Sequence, residues 1–154
     1  MYLTMVLLLM VVFPIGFLVG EAATRHGAVD LLPLIGKWFV FWGVGARFFL
    51  AGLRQCTKPG YTSEVILGIH GTESHVLVRE LGFANLGIGT IALGSLLAPG
   101  WVLPAAVAGA VFIGLAGLNH LRRKRKGWHE NVALYSNLFL FVVPLIYPFH
   151  ALTR

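Results

Sequence analysis

The sequence predicts an all-α integral membrane protein, and three observations lead there. Hydrophobic residues make up 57% of the 154 residues and charged residues only 12%, against about a quarter in water-soluble domains. Five apolar stretches recur along the chain, each near the ~20 residues a helix needs to cross hydrocarbon. The polar side chains gather toward one end of those stretches. A chain so composed cannot cover a water-facing surface, so lipid must be its solvent. Helices are the economical way across, because each satisfies its own backbone hydrogen bonds. The expected spans are about residues 2–20, 31–53, 76–98, 102–121 and 132–152, in a single domain of residues 1–154. Helices two to five should form a compact bundle, with the first helix packed outside it.

The first span begins Met1-Tyr2-Leu3-Thr4, with no Lys or Arg. It lacks the basic flank of a secretory signal, so it reads as a retained helix. Pro14 should bend it, since proline removes a backbone donor.

The second span opens with Asp30 as a cap and Pro33 tolerated in the first turn. Trp38 and Trp42 lie one turn apart and share a face. Gly43-Val44-Gly45 reads as a packing feature, and Lys37, near the outer end, as a side chain that reaches outward to water.

The connection Thr57 to Ser74 is the longest piece that does not span. Pro59-Gly60 marks a turn. Thr62 to Ile69 reads as a short helix on the membrane surface, with Val65, Ile66 and Ile69 turned toward lipid.

Pro99-Gly100 leaves the third and fourth spans so short a turn that they should pack as an antiparallel hairpin. Small residues mark contact faces on both: Gly82, Ala84, Gly87, Gly89 and Gly94 on the third, Ala106, Ala110, Gly114 and Gly117 on the fourth. Such residues let backbones approach in lipid, within one chain or between two copies. In the fifth span Pro144 and Pro148 interrupt the hydrogen-bond ladder.

Positive charge decides the expected orientation. Arg54, Lys58, Arg79 and the run Arg122-Arg123-Lys124-Arg125-Lys126 fall on one side, Arg25 and Arg154 on the other. The positive-inside rule then puts the N-terminus in the cytoplasm of a bacterial inner membrane and the C-terminus in the periplasm. The net charge of +6 is mostly that basic run. It suits anionic lipid heads. Nucleic acid is not expected as a partner, because no aromatics are interleaved for base stacking. Cys56 is the single cysteine, so no intrachain disulfide is possible.

Polar groups in hydrocarbon need partners or a task. Arg47 and Arg54 are seven residues apart and share a face of the second helix. Glu80 is the only acid inside the expected spans, and an ion pair with Arg54 or Arg47 is the simplest way to bury both. Asn85 lies deeper on the third helix. His120, Glu130 and Asn131 approach the same layer, as do His70, His75 and His129. Three readings follow. The cluster fixes helix register; or Arg47, Arg54, Glu80 and His120 line a pocket for a quinone, a lipid head or another small ligand; or His75, His120, His129 and Glu130 hold a metal. The last lacks any HxxxH or HxxE spacing, so no metal is expected. No nucleophile, base and orienter set and no phosphate-binding loop occurs, so no catalytic residue is expected. No cofactor is required, although a quinone or lipid would fit.

The stretch from Gly36-Lys37-Trp38-Phe39-Val40-Phe41-Trp42 to Phe49-Leu50-Ala51-Gly52-Leu53-Arg54-Gln55 resembles the opening of a family of small, uncharacterised bacterial membrane proteins. So do Arg79-Glu80-Leu81-Gly82-Phe83-Ala84-Asn85, Gly114-Leu115-Ala116-Gly117 with His120, and Glu130-Asn131. That family is a domain of unknown function, so the resemblance implies no activity. More distantly, the Glu80 helix with its glycine-rich continuation is similar to DoxX-type four-helix membrane proteins, which implies a link to quinones. This chain departs from that type by an extra N-terminal helix.

The expected function is therefore a non-catalytic accessory or structural subunit that packs on a larger membrane complex, or a homo-oligomer. The alternative is a small-ligand protein of DoxX-like type, its polar site at the cytoplasmic face.

Overall fold

The structure, a computed structural model, describes residues 2–25, 29–122 and 127–152, and the side chains of all of these except 2, 120, 129, 130, 143–146 and 148–152. Among the described residues every regular element is helical. Helix α1 covers residues 2–24 and α2 residues 31–57. Helix α3 is Glu73–Gly94, α4 is Val102–Arg122 and α5 is Trp128–Leu152. Four stretches, Leu3–Thr24, Leu31–Thr57, Glu73–Gly94 and Pro99–Asn119, are long and apolar enough to cross a membrane. In α5 the apolar stretch among the described residues is Asn131–Val142.

Two helices carry a widened turn. In α1 the π-helical turn Leu8–Val12 precedes Pro14, and the Phe13 N–H bonds Leu8 O, five residues back. Pro14 has no N–H to give to the carbonyl four residues before it, so the ladder rearranges there. The helix also runs four residues beyond the expected Gly20, to Thr24, which brings Glu21 into it. In α2, Asp30 accepts the Leu32 N–H at 3.2 Å. The segment Val40–Ala46 is then π-helical, and the Arg47 N–H bonds Trp42 O.

Helix α2 is the centre of the molecule, with 56% of its span buried against 22% for α1. Val40 and Val44 are fully buried and share one core with Val6 and Met10 of α1, Ala92 of α3, Ala106 and Ile113 of α4 and Leu140 of α5. Outward-facing side chains are large and apolar: Leu97 is 92% exposed, Leu77 68% and Phe83 62%. An exterior of that kind suits lipid and would aggregate in water.

The broadest contacts are α2 with α3 and α4 with α5. The hairpin expected of α3 and α4 is thus not the main pairing, although the short turn Pro99–Trp101 does join them. The reason is a glycine seam. A Cβ on Gly52 would lie 2.7 Å from Gly82 O, and one on Gly89 would lie 2.6 Å from the Phe49 nitrogen. Backbones this close fit only where side chains are absent. Gly82 and Gly89 therefore serve packing within the chain, whereas Gly87 has open space around it.

α1 reaches α2 through rings: Phe13 lies 4.8 Å from Trp42, and Phe17 lies 4.9 Å from Trp38, between centroids. Where the chain leaves α2, residues 59–66 are helical. Pro59, Thr62 and Ser63 are the buried positions there, while Val65 and Ile69 are exposed. The hydroxyl face is thus the one that packs on the protein, and the outward side carries the apolar Val65 and Ile69 expected to turn toward lipid. Ser63 tolerates burial because its Oγ donates back to Pro59 O at 3.4 Å.

Candidate functional site

A cavity of about 470 Å³ lies in the half of the bundle next to the α2–α3 connection. Small-molecule sites fall between roughly 300 and 1,000 Å³. Helix α2 supplies the largest share of the wall, and the connecting helix adds Tyr61, Thr62 and Ile66. Phe48, Leu50, Phe112 and Ile113 are among its apolar lining. Arg47, Arg54, Gln55, Asn85, Asn119 and Asn137 are its polar lining, and among the described residues no Asp or Glu lines it.

The expected shared face of Arg47 and Arg54 is present, since both line the cavity. Their surroundings differ. Arg47 is only 9% exposed. Its Nη2 donates to Ser136 Oγ at 3.0 Å and Asn137 Oδ1 at 2.9 Å. Arg54 stacks on Tyr61, its guanidinium carbon 3.6 Å from the ring centroid. A stacked guanidinium keeps its in-plane N–H groups available. Arg54 Nε is buried and has no hydrogen-bond partner among the described residues. Asn85 Nδ2 donates to Gln55 Oε1 at 2.7 Å, and Asn85 Oδ1 is buried without a donor.

Glu80 does not join them. It is exposed, and neither Arg47 nor Arg54 forms an ion pair with it. The buried stripe of α3 is Val78, Gly82, Asn85, Gly89 and Ala92. Glu80 stands two residues from Gly82, about 200° around the helix, so the seam that buries Asn85 turns Glu80 outward. Asn131 is half-buried in the first turn of α5, its N–H on Gly127 O at 3.0 Å, and it does not line the cavity. The side chains of His120, His129 and Glu130, and the basic residues Arg123 to Lys126, lie outside the described residues. His75, in the first turn of α3, meets Glu64 of the connection at 3.3 Å. Among the described residues no three His, Cys, Asp or Glu side chains converge.

Sequence reasoning missed several participants. Ser136 and Asn137 are adjacent polar residues inside an apolar stretch, which is a readable signal for a buried donor nearby. Tyr61 carries no such mark. At the other end of α2, Glu21 Oε2 accepts from Lys37 Nζ at 2.7 Å and from Trp38 Nε1 at 2.8 Å, and its Oε1 pairs with Arg25. Lys37 is therefore paired, and does not simply reach into water.

Compared with protein-family models, curated proteins and solved structures, the chain matches none.

Proposed function

We propose that this chain is a multi-pass membrane protein that binds a small ligand in the cavity between α2, α3, α4 and the connecting helix. One observation carries the reading: the cavity wall holds a guanidinium, Arg54, that is stacked on Tyr61 and makes neither an ion pair nor a side-chain hydrogen bond among the described residues. Charged groups in a largely apolar space need partners. A bound molecule that accepts from the open edge of the Arg54 fork supplies one. We further propose five spans, with helices α2 to α5 bundled, α1 at the periphery and the N-terminus in the cytoplasm of a bacterial inner membrane. The charge asymmetry of the loops supports this, and it puts the cavity in the cytoplasmic half.

A second reading has its own observation. Glu80 is an exposed carboxylate on a helix apolar enough to span, with no hydrogen bond or ion pair among the described residues. A charged group on an outward helix face fits an accessory subunit whose partner helix covers it.

Gentle detergent extraction from native membranes, followed by mass spectrometry of everything that co-migrates, tests both. A small molecule retained by the lone protein supports the binding reading. Stoichiometric partner chains with no retained molecule support the subunit reading. A chain that carries neither, with Ala51→Trp (a change that fills the cavity) leaving all properties unchanged, overturns the binding reading.

A further inference from the structure

We infer that the ligand is a single-chain amphiphile with a compact oxyanion head, a carboxylate or a phosphomonoester, whose head meets Arg54 and whose chain lies along Phe48, Leu50 and Phe112. This rests on the reading of the cavity as a binding site.

The wall mixes two chemistries. Arg54, Gln55, Asn85 and Thr62 line it, and so do Phe48, Leu50, Ala51, Phe112 and Ile113. A molecule that satisfies both must itself carry a polar group and an apolar body. Its charge follows from Arg54. That guanidinium stays protonated in proteins, and among the described residues no carboxylate lines the cavity to balance it. Among the described residues it makes neither an ion pair nor a side-chain hydrogen bond; its contact is the face of Tyr61. Stacking on an aromatic face fixes the plane of the fork and leaves its edge for an acceptor. Oxyanions match that edge best, because two oxygens accept from two N–H groups at once. A neutral head, such as a quinone carbonyl, would accept a hydrogen bond yet leave the charge uncompensated in a largely apolar space.

The head must also be small. Tyr61, Thr62, Ile66 and Leu67 of the connection close the cavity beside Arg54, and a volume of about 470 Å³ must take both head and chain. A two-chain phospholipid does not suit that volume, and a single chain does.

The test is equilibrium binding to the full chain in nanodiscs of zwitterionic phosphatidylcholine. Four labelled probes are compared: oleate, oleoyl lysophosphatidate, monoolein and a short-chain benzoquinone. The first two should bind at least tenfold tighter than the neutral pair. Oleate binding best identifies a carboxylate head, and lysophosphatidate binding best a phosphate. Arg54→Gln should erase the preference for anions, Arg54→Lys should keep part of it, and Ala51→Trp should remove all binding. Neutral probes that bind as tightly as the anions, with Ala51→Trp still abolishing both, would overturn the oxyanion assignment and leave the binding cavity standing. Saturable binding of no probe, or binding that Ala51→Trp leaves intact, overturns the cavity itself. The comparison of probes on the unaltered chain holds even where a variant fails to fold.

Discussion

Arg47 donates to Asn137 Oδ1 at 2.9 Å across α2 and α5, and the same nitrogen reaches Ser136 Oγ at 3.0 Å. The two acceptors are not equivalent. Ser136 Oγ also donates to Ala133 O at 2.9 Å within its own helix, so its hydroxyl keeps a partner without Arg47. Among the described residues Asn137 Oδ1 has no second partner. Asn137→Leu should therefore destabilise the protein by about 1.5–3 kcal/mol, the range for hydrogen bonds to charged groups. Ser136→Ala should cost less than about 1 kcal/mol. Unfolding in mixed micelles titrated with denaturing detergent measures both, and equal losses would contradict the ranking.

The Gln55–Asn85 bond at 2.7 Å joins α2 to α3 beside the cavity. Interhelical bonds in membranes average only about 0.6 kcal/mol and reach about 1.7. A double-mutant cycle with Gln55→Leu and Asn85→Leu should return a coupling in that range. A coupling near zero would mean the bond contributes nothing beyond its neighbours' packing.

Gly89 and Gly87 provide a matched pair two residues apart. A Cβ at Gly89 would sit 2.6 Å from backbone, while one at Gly87 meets nothing within 4 Å. Gly89→Ala should lower stability by about 1–3 kcal/mol, as overpacking does, and Gly87→Ala should leave it within about 0.5 kcal/mol. Thermal unfolding in detergent distinguishes them.

Glu21 ties α1 to α2 through Lys37 and Trp38. Glu21→Leu should loosen α1 alone. Amide exchange in α1 should quicken about tenfold, which is ~1.4 kcal/mol of opening, with α3 amides unchanged. Uniform acceleration across the chain would show that α1 does not open by itself.

Much of the architecture was legible because it is written in composition and length. The apolar runs gave α2 through α4 to within a few residues, and Asp30 and Pro33 marked the start of α2 correctly. The paired face of Arg47 and Arg54 followed from spacing alone. Partner choice did not. Opposite charge suggested Glu80 for the arginines, but charge says nothing of which way a helix turns. That was settled by the close approach of Gly82 and Gly89 to α2, which buries Asn85 and turns Glu80 away. Glu21 escaped notice for a simpler reason: hydropathy ends a span at the last apolar residue, whereas the helix ran on to Thr24.

The widened turn at Val40–Ala46 has a consequence for the phase of α2. A π-helical turn takes up one extra residue within an α-helix, so the half bearing Trp38 and the half bearing Arg47 and Arg54 are out of step by one residue, about 100°. Shortening the chain by one residue inside that turn would bring the ladder back to ordinary pitch and leave each half on its present face. The same deletion between Arg47 and Arg54 would swing Arg54 off the cavity wall. Along this helix, tolerance to a change in length should therefore be concentrated in a single turn, at the positions there other than the core residues Val40 and Val44.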